Sequence, residues 1–530
     1  MNKVTKYLNQ HIIGNVFDRP SILEAYSTDR SILKITPKYV ALPESSNDLR
    51  RIVSFINQLA ARGMKIPIAV RGSGLDKTGA DLTSGIVIST EKMNRILEID
   101  EHGHFVRVQA GVTLAQLNSA LSLYNLCLPV KAHPNQTIGS LFANLPADPY
   151  TPHFNGLYHY LDRMEIILST GDIMQVGKRV THSLLRRSAS QFVDNVTARM
   201  TRLIDKNADL LRKIETRGRD LAGYGSVAEI KSSIRGYDFA PLFLGSQGTL
   251  GIASEIILRC EVSRSDPKRL AVIFKNIRPA IEYLNELFRL NPLSMDLYDL
   301  RILHQAFSNG KTATTFAKAP HNGYLAYITF DDGGFQASRK IRRALQMAPA
   351  DTAIPIPEDN DNSIDFEKLE NILASFLNDE PKGEHLCLID DFSVPNTHLP
   401  AFLTALKSLE AKIDLDLPIY GSFAADTYSA WPDLQINTLE GRHQALMCLR
   451  EFSTLVAAHK GSITGGSPEG RTKAIITTPA LPEDEKRLYG EIKQIFDPNG
   501  ILNPDIKLGV DLHYTIRHIR DLPNPGPISA

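Results

Sequence analysis

The sequence predicts a multidomain α+β protein, and three observations predict it. Its 530 residues exceed what one hydrophobic core organises, so two or three domains are expected. From about Ser46 onward, runs with the two-residue period of strands alternate with runs of helical period. Between Ile66 and Ser89 two short apolar runs, Ile66-Ile68-Val70 and Ile86-Val87-Ile88, flank a glycine-rich loop that opens Arg71-Gly72-Ser73-Gly74.

Composition narrows the class. A hydrophobic content of 43% and a charged content of 22% suit a soluble globular enzyme. Lys+Arg and Asp+Glu number 59 each, so no overall field draws nucleic acid or an anionic membrane. Cys127, Cys260, Cys387 and Cys448 form no C-x-x-C pair, which argues against zinc, iron–sulfur clusters and a disulfide framework. The N-terminus has no signal-peptide core and no run reaches the length of a membrane span, so a cytoplasmic location is expected.

The loop at 71–85 fits neither common phosphate fingerprint. After Gly74 the next glycine is Gly79 and no helical period follows, unlike a Rossmann turn. Asp76 precedes Lys77-Thr78 where a Walker loop needs glycine, so a nucleoside-triphosphate enzyme is set aside. What remains is a strand–loop–strand nest whose backbone N–H groups converge on an anion, with Arg71 adding charge. The competing reading is a glycine-rich hairpin without a ligand.

In chain order, Ser46-Asn47 starts a helix whose Leu49, Ile52, Val53, Ile56 and Leu59 share a face and which Gly63 stops. His104 to Val112 alternates as a strand, and Thr113 caps a helix carrying Leu114, Leu117 and Leu121. The stretch P-N-Q-T-I-G-S-L-F-A-N places small residues around Gly139, as a turn or as a close approach to a flat ligand. Asp162 to Val176 reads as a hairpin through Gly171-Asp172. Residues 181–220 read as a helical insertion with Arg186, Arg187, Arg199, Arg202, Lys206, Arg212 and Lys213 on its polar face, a solvated face or a contact with a membrane or partner. Gly245, Gly248 and Gly251 punctuate a strand-like run, which suggests that something lies on it.

Four ordered segments, R-G-S-G-L-D-K-T-G, V-Q-A-G-V-T-L-A-Q-L-N, T-I-G-S and G-S-Q-G-T-L-G-I, resemble the FAD-binding domain of the vanillyl-alcohol oxidase family. The branch most similar is that of FAD-linked D-lactate, glycolate and D-2-hydroxyglutarate dehydrogenases, and the likeness runs from about Tyr26 to Gly509. It implies an α+β fold with a vanillyl-alcohol oxidase-type FAD-binding domain of two α/β subdomains, at 1–261 with the insertion at about 181–220. A cap of antiparallel sheet and helices would follow at 262–430, and a C-terminal segment, 431–530, would return to complete the flavin site.

By the same likeness Arg71, Gly72, Ser73, Gly74, Leu75, Thr78 and Gly79 would cradle the FAD pyrophosphate. Thr137, Ile138, Gly139, Ser140 and Asn144 would line the flavin, and Gly248, Thr249, Gly251 and Ile252 would hold the remaining ends of the cofactor. Gln247 replaces the family's usual acidic residue, and L-P-A-D-P-Y replaces the glycines usual after T-I-G. No His or Cys lies between Arg71 and Gly85, so the FAD is expected to be noncovalent.

The branch oxidises an α-hydroxyl by hydride transfer to flavin, with metal-binding histidines, a glutamate ligand and a further histidine at the reacting carbon. At those positions this chain has Ser422, Ser429, Gly466 and Ser467. A hydroxyl is a poor ligand for a divalent transition metal and no base at neutral pH, so no metal is expected there. Asp426 and Glu469 are the substitute carboxylate bases the sequence offers, Arg471 and Lys473 the substitute carboxylate binders; His443 and His459 flank the region, and His459, on a helix, reads as structural. The resemblance implies an FAD-dependent dehydrogenase of a hydroxy acid or other alcohol, a small-molecule substrate, and a quinone, cytochrome or flavoprotein as electron acceptor. The rival is a flavin-binding subunit without catalysis of its own.

Overall fold

The computed structural model describes residues 2–150, 156–178, 190–230, 232–233, 236–263, 267–307, 315–316, 319–359, 361–378, 388–432 and 434–521. Ile68–Arg71 and Ile86–Ser89 lie side by side and parallel, with Ile68 opposite Ile86 and Val70 opposite Ile88. That register rules out a hairpin, because parallel neighbours need a crossover, and residues 72–85 supply it without a helix. Asn15–Phe17 and Tyr39–Leu42 complete this four-stranded sheet.

The helix Ser46–Ala61 covers the sheet with Leu49, Ile52, Val53 and Ile56, which pack with Ile68, Ile86 and Ile88. Its cap is Ser45, one residue before the expected start, whose hydroxyl accepts from the Asp48 N–H. Next comes a five-stranded antiparallel sheet ordered Ile96–Asp100, Phe105–Gln109, Ile252–Arg259, Leu161–Ile167, Ile173–Val176. The expected hairpin through Gly171-Asp172 is its last strand pair. Thr113 caps Leu114–Ser122 in a reciprocal arrangement with Gln116.

Two expectations need correction. Gly245 and Gly248 do not interrupt a strand: they sit with φ near +72° in the turn after the short helix Ala240–Phe243, and the strand starts only at Ile252. Around Gly139 there is a helical turn, Ile138–Asn144, capped by Thr137. Of the insertion, 181–189 lies outside the described residues. Its helices Gln191–Lys206 and Ala208–Thr216 bury Val193, Val196, Met200, Leu203, Leu211 and Ile214 in the same core as Leu488 and Ile492. Their apolar stripe is spent on the fold, and the basic face is exposed.

A seven-stranded sheet with antiparallel pairing follows, ordered Ala353–Pro357, Lys268–Phe274, Tyr324–Phe330, Ser294–Asp299, Ile419–Ser422, Thr427–Ala430, Ile389–Ser393. The chain then comes back to the glycine loop. The N–H groups of Arg471 and Thr472 at the start of Gly470–Ala480 donate to the Thr78 carbonyl, and the Ile68 N–H donates to the Ile501 carbonyl. No helix among the described residues is long and apolar enough to cross a membrane.

Candidate functional site

The crossover at 72–85 and the turn at 245–251 form two walls of a narrow groove of about 90 Å³. Gly72, Ser73, Gly74, Leu75, Thr137, Gly139, Ser140, Asn144, Gly248, Gly251 and Ile252 line it, so most of the nominated cofactor residues converge. Phe142, Phe243, Met164 and Ile166 make its apolar side. A Cβ on Gly72 would stand 2.3 Å from Thr137 Oγ1, so only glycine lets the loop seat against the capped helix. Gly248 differs: only the Val70 side chain lies within 4 Å of a Cβ there, and the wall of the groove is left bare.

Arg71, Thr78, Gly79, Ile138 and Thr249 do not line the groove. Arg71 turns back into the loop, donating to the Thr28 carbonyl at 2.7 Å, lying 3.7 Å from Asp81 and over the Tyr26 ring. It braces the loop instead of presenting a charge, a role a sequence cannot distinguish from anion binding. Gly79 packs on Leu33 and Arg471, and Ile138 is core. Thr249 is buried, its hydroxyl donating to the Ser246 carbonyl and accepting from Tyr224. Thr78 faces the larger cavity described below and donates to Asp76. Gln247, in place of the family's acid, joins three segments: its amide donates to Thr78 Oγ1 and Asn144 Oδ1 and accepts from the Gly470 N–H.

Asp76 does not confront the groove as a bare charge. One of its oxygens accepts from the Thr78 and Ala80 N–H groups and the Thr78 hydroxyl. With Asp29 and Asp81 it forms a cluster whose carboxylate oxygens lie within 4.8 Å of one another. Burial, then the charge of Asp81, pushes Asp76 up to about 6. Burial, then Asp81 and Asp76, pushes Asp29 well above the carboxylate range, so the cluster sheds charge by keeping protons.

The groove opens into a cavity of about 640 Å³, the two sharing Leu75, Asp76, Gln136, Asn144 and Gln247. Ser422, Ser429 and Ser467 do reach its wall together, on the strands Ile419–Ser422 and Thr427–Ala430 and on the loop before Gly470. Their hydroxyls are already engaged. Ser422 Oγ accepts from the Ala425 N–H, Ser429 Oγ donates to Asp391 Oδ1, and Ser467 Oγ donates to Asp390 Oδ2 at 2.6 Å. Lys473 Nζ, fully buried, stands 2.8 Å from Ser467 Oγ and 3.0 Å from Asp390 Oδ1. This donor set does not fit a divalent metal: it offers hydroxyls already committed to other partners, and a lysine amine sits beside them. Among the described residues the one group of acidic, His or Cys side chains close enough to share an ion is Asp29, Asp76 and Asp81 in the glycine loop.

The substitutes nominated from sequence are not at the cavity. Glu469 is buried in a 2.9 Å pair with Lys507 and accepts from the Gly223 N–H. Asp426 accepts from the Asn396 N–H in a left-handed turn. Arg471 is buried with its guanidinium on the Leu82 carbonyl. His443 is exposed, and His459 ends the helix Leu439–Ala458 against the edge of Phe402.

Other groups occupy the wall. Asp391, partly open and raised first by burial and then by the charge of Asp390, lies beside Ser429. Lys131 Nζ meets Asp296 Oδ2 at 2.6 Å, and Tyr150, Tyr298, Tyr327 and Tyr420 stand nearby on the wall. Tyr150 belongs to L-P-A-D-P-Y, the segment that replaces the expected glycines and whose Ala147 N–H donates to the Gly466 carbonyl. The Asp390-Asp391 pair was visible in L-I-D-D-F-S as two acids in an apolar strand, a pattern that asks for partners.

Comparison with known proteins fixes the kinship. Residues 37–177 match the FAD binding domain family, and residues 267–506 match the C-terminal domain of FAD linked oxidases. Glycolate oxidase subunit GlcD of Bacillus subtilis is 21% identical over 88% of this chain and 90% of its own length. D-lactate dehydrogenase of Anaerostipes hadrus is 23% identical over 89% of each chain. The chain belongs to the FAD-linked oxidoreductases. The substrate-bound crystal structure of p-cresol methylhydroxylase shares the fold, with a TM-score of 0.69, 15% identity and 97% of each chain covered. As an FAD-linked oxidoreductase, the protein has a groove whose bare Gly248 wall, apolar side and continuity with the cavity fit a long dinucleotide cofactor.

Proposed function

We propose that this enzyme oxidises an alcohol group of a small molecule held in the large cavity, with FAD bound noncovalently in the groove and no metal at Ser422, Ser429, Gly466 and Ser467. Residues 1–261 and 431–530 hold the cofactor, and 262–430 form the cap over the substrate. FAD supplies the hydride acceptor. Gly72 to Leu75, Thr137, Gly139, Ser140, Asn144, Gly248, Gly251 and Ile252 would hold it, and among the described residues no His or Cys lines the groove, which supports noncovalent attachment. Electrons leave to a quinone, cytochrome or partner flavoprotein.

The observation that carries the reading is Asp391. It is an acid on the cavity wall, held by the Ser429 hydroxyl, with its proton affinity raised by burial and by Asp390. A carboxylate so raised is a stronger base, and Asp391 takes the substrate hydroxyl proton as the hydride leaves. Lys473 holds Asp390 ionised, which keeps that like charge beside Asp391. Asp391→Asn is expected to retain its yellow FAD and to slow anaerobic bleaching by substrate about 10²–10⁴-fold. Bleaching at the wild-type rate removes Asp391 from the chemistry. No bleaching of the wild type by any alcohol favours the non-catalytic flavin subunit, the reading that the lost family ligands support.

A further inference from the structure

Among the described residues, the lysines at the cavity face carboxylates. Lys131 is paired with Asp296 at 2.6 Å. Lys473 is fully buried behind the wall and paired with Asp390 at 3.0 Å. The charge of Lys77 acts on both Asp390 and Asp391. No arginine lines the cavity among the described residues, and Arg471, which the sequence offered as a carboxylate binder, is buried on the Leu82 carbonyl. Among the described residues, against Lys77, Lys131 and His133 the wall sets five carboxyl groups, Asp76, Asp296, Glu370, Asp390 and Asp391.

A carboxylate entering such a wall would be desolvated without an uncommitted cation to receive it, and the surrounding acids would repel it. Hydroxyl groups meet the opposite situation, because each carboxylate is an acceptor for an O–H donor. Tyr298 and Tyr420, stacked with their planes 9° apart and ring centres 6.0 Å apart, add a flat aromatic face to the same wall. Aliphatic C–H groups between hydroxyls pack on such a face, while the phenols bond the hydroxyls at its rim.

We propose that the cavity takes an uncharged polyol, a chain of neighbouring hydroxyl-bearing carbons, and discriminates against 2-hydroxy acids. This deepens the dehydrogenase reading above and rests on it. Lys131 and Asp296 act as a matched pair that denies an incoming anion its counter-charge.

The test compares pairs in which one terminal CH2OH is replaced by a carboxylate: D-sorbitol with D-gluconate, xylitol with xylonate, and propane-1,2-diol with D-lactate. Each is mixed anaerobically with the FAD-loaded enzyme, and the rate of flavin bleaching is followed at low and high salt. The expected result is bleaching at least tenfold faster by the polyol of each pair, with little dependence on salt. Faster bleaching by the acids, weakened by salt, overturns the substrate class and leaves the dehydrogenase reading standing. No bleaching by any member of either set overturns both. A second arm uses Asp296→Asn, with retained flavin absorbance as the check on folding. Freed from its partner, Lys131 should raise the acid-to-polyol rate ratio about tenfold, and an unmoved ratio overturns the role assigned to that pair.

Discussion

The groove and the cavity adjoin, yet they are built from different parts of the chain. The groove has a glycine-rich wall from the crossover at 72–75, the helical turn capped by Thr137 and the bare Gly248, facing the apolar side chains of Phe142, Met164, Ile166 and Phe243. The cavity is mostly side chain: Lys131, Tyr150, Asp296, Tyr298, Asp390, Asp391 and the serines at 422, 429 and 467. A site made of backbone constrains the sequence through glycines and caps, which tolerate drift elsewhere. A site made of side chains can be rebuilt by a few exchanges while the fold persists.

That contrast can be broken or sharpened by substitution. The largest effect is expected at Lys473, whose loss leaves Asp390 buried and unpaired. Lys473→Met should lower stability in denaturant titration by about 3–5 kcal/mol, while the folded fraction still binds FAD. A loss of FAD affinity equal to the loss of stability would mean that the two regions are not separable. Gly248→Ala should act the other way round. At φ +72° a side chain costs roughly 1–2 kcal/mol, and its Cβ enters the groove, so the FAD content of folded protein should fall about tenfold.

A smaller effect concerns pH. Asp76 is neutral more readily in the fold than in the unfolded chain, its pKa standing at about 6 against 3.8. Its contribution to stability is therefore present below pH 3.8 and is lost as pH rises through about 6. The ionised form also adds negative charge beside the groove, so FAD should bind more tightly at pH 5.5 than at pH 7.5 by flavin fluorescence titration. Asp76→Asn should flatten both dependences, and an unchanged slope would place the titration elsewhere.

Much of the nucleotide half was legible. The helix at 46–61, the hairpin through Gly171-Asp172 and the Thr113 cap follow from periodicity and turn chemistry, which are local. The parallel pairing of Ile68–Arg71 with Ile86–Ser89 was not, because strand direction is decided by where the intervening chain packs. Arg71 misled for a related reason: a cation next to glycines looks like an anion binder, and only its contacts with Thr28 and Asp81 reveal a brace. In the cavity Ser422, Ser429 and Ser467 were legible by identity as hydroxyls where the resemblance leads one to expect metal-binding groups. Their replacements were not, since Lys131, Asp296 and Asp391 come from distant stretches that meet only in the folded chain.

The most direct test of a glycine-walled cofactor groove beside a cavity whose Ser422, Ser429 and Ser467 hold no metal is anaerobic bleaching by a reactive alcohol before and after exhaustive treatment with a chelator. A site that works without metal gives the same bleaching rate and the same bound FAD in both samples. Bleaching abolished by the chelator and restored by a divalent transition metal, with FAD still bound, would contradict it.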